Sequence, residues 1–126
     1  MAHYFITGAS SGIGAALAVQ LTAAGHQVSA VARRQQRLAA LSKQLDAFHG
    51  YVADVGDAAS LATAVDKAKA KSGAIDVAIL NAGIYQPQDG TKIDPQIYAN
   101  HMTINYLGVV NALAGLVPDM VRDGEG

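Results

Sequence analysis

Residues 7–14 read Thr7-Gly8-Ala9-Ser10-Ser11-Gly12-Ile13-Gly14, between a short apolar run and a long segment of helical periodicity. This context predicts a tight turn from a strand into a helix. Gly8 lets the chain leave the strand, Gly12 lets the backbone approach a pyrophosphate, and Gly14 lets the helix pack on the sheet. Free amides at the helix start attract an anion. The alternative is a glycine-rich connection without a ligand, which this context disfavours.

Strands and helices alternate along the rest of the chain. Short apolar runs predict strands at residues 3–7, 27–32, 48–53 and 74–80. Each parallel pair of strands needs a crossover, so the alternation predicts a parallel sheet. We therefore expect an α/β domain over residues 1–126, with a doubly wound, Rossmann-like sheet of strand order 3-2-1-4. Ligands of such sheets bind at the carboxyl ends of the strands.

The helices show apolar stripes and end signals. In the first helix the expected inward stripe is Ile13, Leu17 and Leu21, with Ala16 and Ala24 on the same side and Gly25 ending the helix. Apolar spacing marks a second helix with Leu38, Leu41 and Leu45, and a third with Leu61, Val65 and Ala68, which Asp57 is expected to cap. Residues 85–94 are predicted to form a loop, and residues 95–121 a helical segment with room for one break.

Composition excludes several classes of protein. A net charge of -1 argues against a nucleic-acid-binding surface. Without cysteine there is no disulfide framework, no thiolate nucleophile and no cysteine-based zinc site. No signal peptide is recognisable at the start, and no apolar run approaches the roughly 18–20 residues of a membrane span. We therefore expect a cytoplasmic protein that binds neither membranes nor nucleic acids.

The spacing T-G-x-x-x-G-x-G resembles the signature of the short-chain dehydrogenase/reductase family. Further motifs follow in the family's order: Asp54-Val55 after the third strand, Asn81-Ala82-Gly83-Ile84 after the fourth, and Asn105 in Thr103-Ile104-Asn105-Tyr106-Leu107-Gly108. Together these motifs cover essentially the whole chain. Other Rossmann-type proteins, such as nucleoside-diphosphate-sugar epimerases or methyltransferases, are disfavoured by this combination.

The resemblance implies a nicotinamide cofactor. The candidate cofactor-binding residues are Gly8, Ser10, Ser11, Gly12, Ile13, Gly14, Arg33, Arg34, Asp54, Val55, Asn81, Ala82 and Gly83. Arg33 and Arg34 follow the second strand, and no acidic residue lies between Val28 and Arg34. Because guanidinium groups pair strongly with phosphate, NADP(H) is favoured over NAD(H). The alternative is that the arginines form a solvated face. Asp54 could accept from the adenine amino group or serve as a loop aspartate.

The resemblance also implies four catalytic residues: an asparagine, a serine, and a tyrosine and lysine four residues apart. Asn105 is the one match, because none of the five tyrosines has a lysine four residues later. The alternative for Asn105 is a helix-interior asparagine bonded to the backbone. The end of the chain resembles the loop before the family's fifth strand. We therefore expect an N-terminal fragment of an NADP(H)-dependent oxidoreductase that binds cofactor without turnover; the alternative is a stand-alone dinucleotide-binding module.

The last helical segment carries an apolar surface. Its members are Ile104, Leu107, Val110, Val117 and Val121. The resemblance implies that this helix packs against the helix that carries the family's tyrosine and lysine, and often against a partner subunit. Without that helix these residues are expected to be partly exposed to solvent. Exposed apolar faces favour association. We therefore expect a homo-oligomer.

Overall fold

The computed structural model describes all residues, 1–126. The elements are β1 (His3–Thr7), α1 (Gly12–Ala23), β2 (Gln27–Ala32), α2 (Gln35–Gln44), β3 (Phe48–Val52), α3 (Ala58–Ser72), β4 (Val77–Leu80), α4 (Pro95–His101), a π-helical segment (Met102–Leu107) and α5 (Gly108–Asp123). All strand pairs are parallel and the order is β3-β2-β1-β4, so the predicted architecture is confirmed.

Neighbouring residues of β1 supply the two faces of the sheet. Phe5 and Ile6 are both fully buried, and they belong to different core clusters because side chains alternate along a strand. The cluster around Phe5 includes Leu61 and Leu116, so α3 and α5 cover this face. The cluster around Ile6 includes Ala18 and Leu38, so α1 and α2 cover the other. Helices therefore cover both faces around β1 and β2, whereas no residue of the edge strand β4 is fully buried.

The predicted inward stripe of α1 is wrong at three positions. Ile13 is 72% exposed, and Ala16 and Ala24 are also exposed. The fully buried positions are Gly14 and Ala18. Apolar residues lie all round this helix, so their spacing does not select a face. Contact of Gly14 with the turn before the helix sets the rotation instead.

The element ends follow local hydrogen bonding. Asp57 caps α3 as predicted, because its side chain accepts from the amides of Ala59 and Ser60. β4 begins at Val77 rather than at residue 74: Gly73, at φ 83°, ends α3, and the pairing with β1 begins only at Tyr4 and Val77. α2 ends before Leu45, which is in extended conformation.

The predicted break in the last helix is a π-helical segment. The whole helical stretch Pro95–Asp123 has 29 residues, and an 18-residue part of it has a mean hydropathy of 1.3 with 17% of that part buried. By length and composition it could therefore cross a membrane, although core helices of soluble proteins meet the same criterion. No apolar run of that length is expected from the sequence. The stretch meets the criterion on its average, because its apolar residues outweigh polar ones such as Asn111.

The outer face of this helical stretch is apolar and exposed. Leu107, Val110, Val117 and Val121 are 41% to 74% exposed, as the sequence predicted. The prediction of an exposed side chain is wrong for Ile104, which is only partly exposed and packs against the core cluster under α3 and α5. The stretch is attached to the sheet through Ala112 and Leu116, which are buried.

An ion pair joins α3 to α5. The Lys69 ammonium donates to the Asp119 carboxylate at 2.6 Å, and Asp66 lies 3.4 Å from the same ammonium. The bond from Lys69 lowers the pKa of Asp119, and the bond to Asp119 raises the pKa of Lys69. The stabilisation from Asp119 is therefore present above the ordinary aspartate pKa of about 3.9 and is lost as the pH falls through the lowered value. The contribution of Lys69 is present below about 10.4 and is lost as the pH rises through its raised value.

Asp119→Asn should lower the melting temperature at pH 7, and the difference from wild type should be smaller at about pH 2.5, because acid below the ordinary aspartate pKa of about 3.9 protonates a growing share of Asp119 and weakens the ion pair. Thermal unfolding followed by circular dichroism at the two pH values measures it. Asp66→Asn, which removes a carboxylate whose side chain is 76% exposed, serves as the control and should have a smaller effect. A difference for Asp119→Asn that is the same at both pH values would contradict the assignment.

Candidate functional site

A cleft of about 350 Å³ lies at the carboxyl ends of the strands. Most of the predicted site residues line it: Gly8, Ser10, Ser11, Arg33, Arg34, Asp54, Val55, Asn81, Ala82 and Gly83. They come from loops after all four strands, and a parallel sheet brings those loops to one edge. Residues that are distant in the sequence are thus assembled where the fold places a ligand.

Some predicted residues lie outside the lining, and some lining residues were missed. Gly12, Ile13, Gly14 and Asn105 do not line the cleft. The missed residues are Val31, Ala32, Ala53, Ile84 and Ile104. Val31 and Ala32 are the last two residues of β2, and Ala53 directly follows β3. Their position at the carboxyl ends of strands was an available signal. Nothing in the sequence pattern indicates that Ile104 reaches the cleft from the π-helical segment.

Backbone hydrogen bonds hold the glycine turn to its neighbours. Gly8 is at φ 69°, which favours glycine. Its amide donates to the carbonyl of Val31 at 2.9 Å, which ties the turn to β2. On the other side, the Asn81 side chain donates to the Gly8 carbonyl at 3.2 Å, and the Ala82 amide donates to the Thr7 hydroxyl at 3.0 Å. The side chain of Asn81 therefore fastens the end of β4 to the turn.

Two of the glycines differ in what surrounds them. A Cβ on Gly14 would collide with the carbonyl oxygen of Gly8 and lie 2.9 Å from the Cα of Ala9, so α1 packs directly on the turn. Gly12 is at φ 58°, and a Cβ there would meet nothing within 4 Å. The space beside Gly12 is empty, whereas that beside Gly14 is filled by backbone.

The start of α1 suits an anion. Ser11 occupies the N-cap position, but its side chain makes no capping hydrogen bond, and the first turn holds no acidic residue. The positive end of the helix dipole is therefore not neutralised by the protein itself. Because Ser10 and Ser11 both line the cleft, their hydroxyls and the helix amides are available on the same side.

Two arginines line the same cleft as Ser10 and Ser11. Arg33 directly follows β2, and Arg34 is the N-cap residue of α2. The salt bridges of the protein involve neither guanidinium. Two unpaired cations before a helix N-terminus are opposed by its dipole. A bound anion would remove that opposition.

Asp54 has a local structural role beside its place in the cleft. Its Oδ1 accepts from the Gly56 amide at 2.9 Å, which shapes the loop between β3 and α3. Its own amide donates to the Ser60 hydroxyl at 3.2 Å. The interpretation as a loop aspartate is therefore supported, and its place in the lining leaves it able to accept from a ligand. No cluster of three or more His, Cys, Asp or Glu side chains is arranged to hold a metal ion.

Asn105 contacts the loop after β4 rather than the cleft. Its Oδ1 accepts from the Ile84 amide at 2.7 Å, and its Nδ2 donates to the Ile84 carbonyl at 2.8 Å. Asn105 is therefore bonded to backbone, as the alternative interpretation expected. The bonded backbone, however, belongs to Ile84 in a distant segment and not to the helix itself. Since Ile84 lines the cleft, Asn105 positions one wall of the site.

Comparison with known proteins places these features in one family. Residues 2–126 match the family model described as short chain dehydrogenase. A 3-dehydrosphinganine reductase from Arabidopsis thaliana is 35% identical over 130 residues, covering 98% of this chain and 38% of that protein. This protein and three other relatives are matched over 36% to 52% of their own lengths. The chain therefore spans about half of the length of these relatives or less.

Two solved structures show the same fold. A gluconate 5-dehydrogenase from Burkholderia cenocepacia, in complex with NADP and tartrate, superimposes with a TM-score of 0.87 and 30% identity, covering 99% of this chain and 51% of that one. A 3-ketoacyl-(acyl-carrier-protein) reductase from Brucella melitensis, complexed with NADH, superimposes with a TM-score of 0.91 and 28% identity, covering 98% and 53%.

Gly14→Ala should destabilise the protein by at least about 2 kcal/mol, because the new methyl group meets backbone that cannot move aside. Gly90→Ala is the matched control: a Cβ there meets nothing within 4 Å, and a change below about 0.5 kcal/mol is expected. Urea unfolding followed by circular dichroism measures both. Equal free energies of unfolding for the two variants would show that the contact at Gly14 is not tight.

Proposed function

Since the chain belongs to the short-chain dehydrogenase family, we propose that it is the NADP(H)-binding part of an oxidoreductase. The proposed reaction moves a hydride between the nicotinamide and a carbonyl or alcohol carbon. The observation that carries the proposal is the pair of unpaired arginines, Arg33 and Arg34, in one cleft with the glycine turn. The activity concerns the whole protein, of which this chain corresponds to a part in its relatives.

The residues present fit the cofactor. The amides at the start of α1 and the open space beside Gly12 suit the pyrophosphate. Ser10, Ser11 and the two arginines suit a 2′-phosphate. Asp54, which lines the cleft, would accept from the adenine amino group, and the backbone of 81–83 would line the ribose. When bound, the cofactor supplies the hydride chemistry, whereas this chain binds and orients it.

The preference for NADP(H) over NAD(H) rests on charge. A carboxylate after β2 would bond the ribose hydroxyls and repel a 2′-phosphate, and this chain has Ala32-Arg33-Arg34 in that place. The two solved relatives hold NADP and NADH respectively, so the fold accommodates either. The arginines therefore carry the distinction. A guanidinium fork pairs with phosphate more strongly than neutral donors do.

We propose that the chain alone binds cofactor without turnover. Proton transfer to the substrate oxygen needs a general acid, and the family resemblance assigns that role to a tyrosine beside a lysine. No tyrosine of this chain has a lysine four residues later. Asn105 acts here through Ile84, as a positioning residue for the cleft wall.

A second candidate is a stand-alone dinucleotide-binding module or a partner-dependent subunit. The observation that favours it is that both polar side-chain atoms of Asn105 bond to the backbone of Ile84. This gives Asn105 a structural role that does not require catalysis. The coding sequence beyond Gly126 separates the two candidates. A serine followed by Tyr-x-x-x-Lys in frame would favour the reductase.

The chain should bind NADPH at least about tenfold more tightly than NADH, because a 2′-phosphate gains charge-assisted bonds that are worth more than 1 kcal/mol. Arg33→Ala should reduce that ratio by about tenfold. Cofactor fluorescence titrations measure the dissociation constants of NADPH and NADH for the wild type and for each variant. Arg37→Ala is the matched control, since Arg37 is exposed on α2 and lies outside the lining.

Two outcomes would count against the cofactor assignment. Equal affinities for NADPH and NADH in the wild type would remove the NADP preference. An effect of Arg37→Ala as large as that of Arg33→Ala would show that net charge, rather than a placed guanidinium, determines the affinity.

We further propose that the apolar outer face of the last helical stretch pairs with a second copy of the chain. Its exposed members recur every three or four positions: Tyr98, Met102, Tyr106, Val110, Leu113, Val117 and Val121. On each side of the π-helical segment, such spacing forms an apolar stripe along the helix. Pairing two stripes removes both from water, which stabilises the dimer.

The wild-type chain should sediment as a dimer or larger species at tens of micromolar, and Val117→Glu should shift it to monomer, because a carboxylate cannot be buried unpaired in the interface. Thr63→Glu adds the same charge to an exposed position on α3 and should leave the assembly intact. Analytical ultracentrifugation measures both. A monomeric wild type contradicts the proposal. Flotation of the protein with phosphatidylcholine vesicles would assign the face to a membrane instead.

A further inference from the structure

The loop after β4 is attached to the helix at two points one turn apart. Asn105 makes two bonds with the backbone of Ile84. One turn earlier, the amide of Gln86 donates to Nε2 of His101 at 3.0 Å. Between these two points Tyr85 is 86% exposed, so apolar packing contributes little to holding the loop. The attachment is therefore made by these hydrogen bonds.

The bonding of His101 determines its tautomer. Its Nδ1 lies 2.7 Å from the carbonyl oxygen of Ile97, which can only accept, so Nδ1 carries the proton. In the neutral ring Nε2 is then an acceptor, and it faces the Gln86 amide. The helix thus orients the imidazole through one nitrogen, and the imidazole holds the loop through the other.

We propose that His101 is a positioning residue for the cofactor. Together with Asn105 it clamps the backbone of 84–86 and so fixes the wall that Ile84 contributes to the cleft. This inference rests on the proposed function, because it assigns the clamp to cofactor binding. The motifs of the sequence do not include His101, and only its contact with Gln86 indicates the role.

The position of the clamp indicates which part of the cofactor it affects. β4 and β2 lie on opposite sides of β1 in the sheet. Arg33 follows β2, whereas Ile84 follows β4. A dinucleotide with its 2′-phosphate at Arg33 must therefore extend past β1 toward Ile84. Loss of the hydrogen bonds of His101 and Asn105 should weaken binding of the nicotinamide half of the dinucleotide and leave binding of the adenosine half unaffected.

Binding of a whole and a truncated ligand tests the proposal. His101→Leu should weaken NADPH binding about three- to tenfold, the range expected for one hydrogen bond, and change the affinity for adenosine 2′,5′-bisphosphate less than about twofold. His101→Gln, whose amide oxygen can reach the position of Nε2, should restore most of the NADPH affinity. Asn100→Leu is the matched control, because its side chain is exposed and bonds only Gln96.

Amide hydrogen exchange gives a second measurement that needs no ligand. In the wild type the Gln86 amide should exchange more slowly than the Tyr85 amide, whose N–H donates no hydrogen bond within the protein. His101→Leu should abolish that difference and leave the Ile84 amide protected by Asn105. Should the leucine variant not fold, the wild-type comparison still decides whether the clamp exists.

The outcomes separate the clamp from the proposed function. If the wild type binds neither ligand, the proposed function fails, and the exchange of the Gln86 amide alone tests the clamp. If the wild type binds both ligands, the clamp is overturned by unchanged NADPH affinity in His101→Leu, by equal weakening of both ligands, or by no rescue with glutamine. Rapid exchange at Gln86 in the wild type also overturns it.

Discussion

The close approach of three backbone segments at the glycine turn is the constraint on which the rest of the structure depends. A Cβ on Gly8 would lie 2.8 Å from the Cα of Ala82, and one on Gly14 would meet Gly8 itself. The end of β4 and the start of α1 therefore both pack directly on the backbone of the turn, and the Asn81 side chain bonds to the same backbone. Three residues of this contact, Gly8, Asn81 and Ala82, line the cleft. The positions of Asn81 and Ala82 follow from it.

Much of the fold could be predicted because its signals are local. The bounds of β1 and β2 agree with the apolar runs, and Asp57 caps its helix through bonds to residues two and three positions later. The strand order followed from crossover rules that hold for parallel sheets in general. Once the order was predicted, the loops after the strands had to meet at one edge. That is why Arg33 and Asn81 could be placed in the same site.

The parts that could not be predicted depend on contacts between distant segments. The rotation of α1, which leaves Ile13 exposed, is set by Gly14 against the turn and not by the apolar spacing. Ile104 reaches the cleft because the helix passes near Gly56, where a Cβ would lie 3.2 Å from its side chain. The bond of His101 to Gln86 joins residues 15 positions apart through the path of an irregular loop. Sequence patterns carry no distances of this kind.

The π-helical segment has a consequence for the phase of the helical stretch. A π-turn accommodates about one residue more than an α-turn, so it rotates everything that follows by roughly 100° relative to an uninterrupted α-helix. His101 and Asn105 can thereby point toward the loop while Ala112 and Leu116, further along, point to the sheet. Removing a single residue between positions 102 and 107 would bring the two halves back into the same phase. One of the two contacts would then be lost, even though no contacting side chain had been altered.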